Sequence, residues 1–364
     1  MNTLINAQNY YEDKVFSSES IQIFLHQWVF ACFLSDLTAH NDYVCMNRGG
    51  RSVVVQNFHG EIFAFDNVCS HRFAELKCEG KGNGALRCPY HGWTYDSTGL
   101  PYAIPKRPRF DDLTPERLEC LKLSSWRVAS IGQFVFVKYD DSSDLSLESF
   151  LGANVCQLLR NVSDSMGECI DVNMIHLHCN WKIAVENTLE SYHVGFIHPT
   201  TFHKLGANGE DFEFEGAHSR WNAVLSEVTL AKWEKTSHIF ASRSFHAPGY
   251  IHQFIFPNLT IATTFGNSFS IQLFDPESAE FTNFTSYVYD AKLNDLTDLQ
   301  SKMAAMMNQS IVSFNRSVFQ EDKGVCESVQ RGSRLVKGDG VLSDEELRVH
   351  HFQQQYQLYM NQPQ

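Results

Sequence analysis

The chain has 364 residues, 43% of them apolar and 20% charged, with a formal charge of −13. It is long enough for one large domain or two medium ones with real cores, and too balanced in composition to be disordered or fibrous. The acidic balance, without any cluster of Lys and Arg, excludes a nucleic-acid partner. No apolar run reaches the 18 or so residues a membrane span needs, and Met1 to Ser20 lacks the basic and apolar regions of a secretory signal. The 10 cysteines are scattered rather than densely spaced, so a reducing, cytoplasmic location is expected.

Residues 1–27 read as an N-terminal helical segment. From Ser52 to Phe65, SVVVQNFHGEIFAF sets two β-branched and aromatic runs around His59-Gly60, a hairpin signal. Further strands are expected near Ala85–Cys88 and over Gln133–Tyr139, with Gly and Pro punctuating Gly49 to Pro108. The stretch from about Trp28 to Asp140 therefore reads as a compact, mostly β unit, in a domain spanning 28–150. After Ser149 the texture changes. Trp181–Ile197 has helical apolar spacing, whereas Tyr250–Phe256, Leu259–Phe265, Ser268–Phe274 and Asn283–Tyr289 alternate like neighbouring antiparallel strands. Helices follow around Leu299–Phe319 and Asp344–Tyr359, which makes 151–364 a second domain of α+β type.

Two cysteine–histidine pairs carry the first chemistry. Cys69-Ser70-His71 and Cys88-Pro89-Tyr90-His91 give C-x-H, sixteen intervening residues, then C-x-x-H. Zinc sites usually pair Cys with Cys and His with His. Mixed pairs fit instead a [2Fe–2S] cluster in which two Cys hold one iron and two His the other, an arrangement that raises the potential to roughly −150 to +300 mV. Pro89 and Gly92 supply the tight turns that two converging loops need. The string NVCSHRFAELKCEGKGNGALRCPYHGWTYDSTG, from Asn67 to Gly99, resembles the Rieske signature, including CPYHGW.

A Rieske cluster alone would suit an electron carrier, so the rest of the chain decides the function. In Asn180–Pro199, NWKIAVENTLESYHVGFIHP, Glu190 and His193 are three apart and share one face of a helix. His198 precedes Pro199, which disfavours helical geometry and lets a second imidazole swing toward the first. Two His and one carboxylate on one face of an iron leave positions open for O2 and substrate, and the third ligand is expected to be an acid distant in sequence. The run N-W-K, E-N-x-x-E-x-Y-H, H-P resembles the mononuclear iron motif of Rieske oxygenase large subunits. In those the closing carboxylate accompanies a stretch like QEDKGVCESVQRG, present here from Gln320 to Gly332. Position by position the resemblance assigns Asp322, with Glu321 the competing choice.

The resemblance runs from about Trp28 to EELRVHHFQQQYQLY. It implies an α+β protein: a small, mostly β Rieske domain, then a helix-grip catalytic domain with an antiparallel sheet. It also implies a terminal oxygenase that hydroxylates, dealkylates or dihydroxylates a small organic substrate, assembled as a head-to-tail homotrimer or a multiple of one. In that assembly His91 faces the subunit boundary, Glu190 bridges it by hydrogen bonds and His193 receives the electron. Glu rather than Asp at position 190 is more like the oxygenases of betaine- or carnitine-type amines, while the 28 Phe pull toward an apolar substrate. No C-x4-C-x2-C motif and no G-x-G-x-x-G fingerprint occurs, so a separate reductase or ferredoxin is required. The alternatives are a Rieske electron-transfer or redox-sensing protein with a ligand-binding C-terminal domain, and a zinc-stabilised interaction protein.

Overall fold

The computed structural model describes residues 1–78, 80–139, 145–207, 211–241, 243 and 245–361. One compact unit is Ser20–Phe150; the other combines Met1–Glu19 with Leu151–Gln364. The segment 1–27 is helical over much of its length but divides between the two units at Glu19. The expected end of the β unit at Asp140 lies outside the described residues.

The first unit has strands β1 (Val29–Phe33), β2 (Asp42–Arg48), β3 (Arg51–Phe58), β4 (Glu61–Asp66), β5 (Gly80–Asn83), β6 (Thr94–Tyr95), β7 (Pro101–Ala103), β8 (Ser125–Ile131) and β9 (Phe134–Tyr139). Seven form one sheet in the order β1-β9-β8-β4-β3-β2-β5, and β6 pairs with β7. The expected hairpin is β3–β4. His59 and Gly60 turn it with φ of 57° and 99°, both positive as a two-residue turn between twisted strands requires. Val53, Val54 and Val55 are fully buried, so both faces of β3 are covered. Asp66 ties the end of β4 down, accepting from Arg51 at 2.8 and 2.6 Å and from Trp126 Nε1 at 2.9 Å.

The strand expected at Ala85–Cys88 is corrected: only an isolated bridge, Arg87 to Thr94, forms there. The backbone bends into a loop closed by Cys88 N–H to Trp93 O at 2.8 Å and Tyr95 N–H to Leu86 O at 2.9 Å. The strand lies earlier, at β5, whose sequence GKGN has no strand character. Gly82 is required because the Tyr43 ring packs where a side chain would go; a Cβ would sit 2.6 Å from the Tyr43 hydroxyl.

The second unit carries β10 (Met166–Leu177), β11 (Phe212–Glu215), β12 (His218–Ala223), β13 (Tyr250–Ile255), β14 (Leu259–Thr264), β15 (Ser268–Ser278) and β16 (Phe281–Ala291). They form one antiparallel sheet in the order β10-β16-β15-β14-β13-β12-β11, which contains the four expected strands as β13 to β16. The helices Trp181–Thr188 and Asp298–Ser333 pack on it. The latter runs 36 residues rather than ending near Phe319, and is started by a reciprocal cap between Thr297 and Gln300. The helix expected over Trp181–Ile197 is broken into Trp181–Thr188 and a single turn, Val194–Ile197. No helix among the described residues is long and apolar enough to cross a membrane.

A buried polar knot holds the helix Trp181–Thr188. Asn180 caps it, accepting from Lys182 N–H at 3.0 Å, and donates to Ala279 O at 2.7 Å. Glu19 accepts from Trp181 Nε1 at 2.9 Å and from the Tyr356 hydroxyl at 2.6 Å, and pairs with Lys182; neither Glu19 nor Lys182 has exposed surface. These bonds place Met1–Glu19 with the second unit. Glu19→Leu would strand a buried ammonium, and is expected to cost about 3–5 kcal/mol. Thermal unfolding checks this: an unchanged midpoint would show that Lys182 finds another partner or deprotonates at no cost.

Candidate functional site

Two loops of the first unit bring Cys69, His71, Cys88 and His91 together. Asn67 shapes the first, its Oδ1 accepting from Leu76 N–H at 3.2 Å and Lys77 N–H at 2.9 Å. Cys69 N–H then bonds Ala74 O at 2.8 Å, and Phe73 N–H bonds Cys69 O at 2.9 Å. The second loop repeats the pattern, with Cys88 N–H to Trp93 O and, at 3.0 Å, Gly92 N–H to Cys88 O. Gly92 has φ 75°, and a Cβ there would meet the Arg87 guanidinium at 2.9 Å. Both thiols are buried, and the His71 and His91 rings lie 4.7 Å apart. Trp93 stacks on His71 at 4.8 Å, nearly parallel, and Tyr90 lies 3.7 Å from His91. The Tyr95 hydroxyl sits 3.1 Å from Cys69 Sγ and accepts from Ser70 N–H at 3.1 Å.

These residues fit an iron–sulfur cluster. His71 Nδ1 and His91 Nδ1 are buried without any hydrogen-bond partner, beside two buried thiols. A buried imidazole nitrogen left unpaired is costly unless a metal takes its lone pair. Burial, then the nearby His91 and Arg72 charges, hold His71 below its ordinary pKa and favour the neutral form a ligand needs.

In the second unit His193 Nε2 and His198 Nε2 are 3.2 Å apart, and Asp322 Oδ1 lies 3.0 Å from the latter and 3.6 Å from the former. The helix break builds half of this. Glu190 accepts from His193 N–H at 3.1 Å, just ahead of the turn Val194–Ile197, while its other oxygen holds His193 Nδ1. Glu190 and His193 therefore meet across a break rather than on one continuous helix face. Glu321, the competing acid, sits behind His198, its Oε2 2.7 Å from Nδ1 and accepting from the Thr201 hydroxyl at 2.7 Å. Asp322 is turned inward and accepts from Asn187 Nδ2 at 2.9 Å. The roles of Asn187 and Thr201 were missed in the sequence; Asn187 stood in the quoted motif, but nothing in its spacing tells of an acid 135 residues away.

Carboxylates on both Nδ1 atoms fix the proton there and leave each Nε2 with a lone pair. In that tautomer two ring lone pairs converge with Asp322 Oδ1, which also accepts from Asn187, and a cation at their centre would relieve the repulsion. Burial works against a charge on His198, but the Asp322 and Glu321 carboxylates outweigh it and raise its pKa. The three residues meet the geometry for one metal ion. They border a cavity also lined by Phe202, Trp221, Tyr250, His252 and Phe319, which adjoins a larger one of about 470 Å³.

Asp322→Ala is expected to lose about one iron per chain while the visible spectrum of the cluster stays unchanged. Glu321→Ala removes only the support behind His198, and is expected to weaken iron binding by roughly 10–100-fold. Metal analysis alongside the spectrum checks both; iron kept in Asp322→Ala and lost in Glu321→Ala would exchange the two roles.

A model of the Rieske [2Fe-2S] domain matches residues 27–124, and a model of the ring hydroxylating alpha subunit (catalytic domain) matches 167–362. Choline monooxygenase of Beta vulgaris is 26% identical over 360 residues, spanning 94% of this chain and 74% of the relative. The carnitine monooxygenase oxygenase subunit of Escherichia coli is 28% identical over 351 residues, spanning 92% and 86%. A solved quaternary ammonium Rieske monooxygenase in complex with L-carnitine shares the fold, with a TM-score of 0.78 at 22% identity over 99% of this chain and 96% of that one. A catalytic-domain match over more than half the chain, with a Rieske domain ahead of it, shows that the chain belongs to the ring-hydroxylating oxygenase alpha subunits, which carry a [2Fe–2S] cluster and a mononuclear iron.

Proposed function

We propose that this alpha subunit is the terminal oxygenase of a multi-component system, taking electrons from a separate reductase or ferredoxin and using O2 to oxidise a small organic molecule. The observation that carries the reading is the meeting of His193 Nε2, His198 Nε2 and Asp322 Oδ1, 3.0 to 3.6 Å apart, beside a cavity. A protein that only shuttled electrons or sensed redox state would have no use for such a site. When bound, the two iron centres supply stored electrons and open coordination positions for O2.

The residues divide the remaining work. Cys69, His71, Cys88 and His91 hold the cluster, and the Tyr95 hydroxyl beside Cys69 Sγ favours its reduced form. His193, His198 and Asp322 hold the iron, with Glu190 and Glu321 fixing the two rings. Glu190 also accepts a hydrogen bond from His91 of the partner subunit in a head-to-tail trimer, which links the cluster of one subunit to the iron of the next. All 10 cysteines are unbridged, which suits the reducing cytoplasm. The two relatives are monooxygenases of choline and carnitine.

A red-brown preparation with about three irons and two sulfides per chain is the first expectation. Glu190→Gln should keep both metal centres yet pass electrons slowly from cluster to iron in single-turnover absorbance. Cys69→Ser and Asp322→Ala should each be inactive alone. Co-expressed and mixed at random, they should regain activity, since about a quarter of head-to-tail boundaries then pair an intact cluster with an intact iron. Differently tagged hetero-oligomers with no activity above either parent would sink the inter-subunit route.

A further inference from the structure

Behind the cavity lies a charge without a counter-charge. Arg348, on the helix Leu347–Met360, is 1% exposed. It bonds Ser219 Oγ at 3.1 Å, Ser219 O at 3.4 Å, and His252 O at 3.3 Å and Nδ1 at 3.1 Å. Among the described residues no carboxylate comes within ion-pair distance of it. Burial lowers its pKa to about 9, so it is charged at neutral pH.

A guanidinium can only donate, so His252 Nδ1 must accept and the ring proton sits on Nε2. Burial, then the Arg348 charge, hold His252 well below its ordinary pKa, so it stays neutral. His252 borders the cavity beside His193, His198 and Asp322, and among the described residues its ring is hydrogen-bonded at Nδ1 alone. The result is an N–H donor of fixed direction, backed by a positive charge.

The larger cavity agrees with this polarity. It shares Phe202, Tyr250, Gln272, Val318 and Phe319 with the smaller one. Apart from Glu190 and Asp322, no described acid lines either, and the one charged side chain of the larger is Lys232. Trp233 is already engaged: Phe265 stacks on it at 4.6 Å and the Arg243 guanidinium lies 4.9 Å from its ring. In the larger cavity a quaternary ammonium would find neither a counter-ion nor this indole to stack on; in the smaller one Phe202, Trp221 and Tyr250 offer rings, but Glu190 and Asp322 are engaged with His193 and His198 and the Arg348 charge stands behind His252.

We propose that His252, backed by Arg348, donates a hydrogen bond to an acceptor oxygen of the substrate, which is an apolar-bodied carbonyl, carboxylate or ether compound rather than a quaternary ammonium. This rests on the oxygenase reading for the site and departs from the substrates of the relatives. His252 sets which substrate atom is presented, and Arg348 is a positioning residue that acts through it.

The test is calorimetric binding to the oxidised holoenzyme, without reductase, of three probes of similar size: acetophenone, ethylbenzene and phenyltrimethylammonium. Acetophenone should bind most tightly in the wild type. His252→Leu should weaken acetophenone by about three- to tenfold, the worth of one neutral hydrogen bond, and leave ethylbenzene unchanged. His252→Gln, which keeps a donor, should recover part of the loss. Phenyltrimethylammonium binding tighter than acetophenone, equal affinity of acetophenone for wild type and His252→Leu, or no binding of acetophenone at all would each overturn the proposal. Should a variant fail to fold, the ranking of the probes on the wild type decides. Binding is read without turnover, so a chain that ranks the probes as expected but makes no product loses the oxygenase reading and keeps this one.

Discussion

Two imidazole lone pairs and a carboxylate oxygen held face to face repel one another, and much of the second unit serves to hold them so. Glu190 and Glu321 clamp the outer nitrogens of His193 and His198, so neither ring can turn its lone pair away. Asn187 restrains Asp322 differently, donating to Oδ1, the oxygen that faces the two rings. Behind them the helix Trp181–Thr188 is fastened by the Glu19–Lys182 pair and the Asn180 cap, and Asp322 rides on a helix of 36 residues whose own backbone bonds fix its place. The folded protein thus keeps ready an arrangement that a cation would relieve, and folding energy spent on it would return as metal affinity.

The two centres differ in how local they are. Each cluster loop is closed by its own backbone bonds within a few residues, and the Tyr95 hydroxyl, from β6, ties the second loop to Cys69 and Ser70 of the first. The mononuclear site spans 133 positions from Glu190 to Asp322, and only its Glu190–His198 half is closed locally. That contrast decided what could be read from the sequence. Cys69, His71, Cys88 and His91 announce themselves by type and spacing. His193 and His198 follow from the short run ending at Pro199, whereas Asp322 rested on resemblance, and Glu321 next to it could be separated only by seeing which side of the helix each faces.

The fold was legible where one physical signal dominated, as in the hairpin around His59-Gly60 and the alternating runs of β13 to β16. It was opaque where a tertiary contact overrode local character. Gly80–Asn83 is a strand because Tyr43 packs over Gly82, and in β10 the alternating Val172 and Met174 are exposed positions, so the pattern does not mark a buried face. The break after Thr188 comes from the Glu190 side chain competing with the helix for the His193 N–H, a choice that helical spacing alone does not reveal. Likewise Arg348 looks like one charge in a polar C-terminal run, and only its burial against His252 gives it a part in the site.

The helix Asp298–Ser333 carries Asp322 and, one turn earlier, Val318 and Phe319 of the cavity wall; further back Met307, Ile311 and Phe314 continue that wall. One rigid rod thus carries both Asp322 and a wall of the cavity. The opposite wall, with Ala262, Thr264, Ser268 and Ser270, lies on β14 and β15 and bears no ligand. Natural drift and laboratory diversification toward new substrates should consequently be asymmetric: the sheet side can be reshaped freely, while changes near Phe319 will be filtered by their effect on iron retention before substrate choice is ever tested.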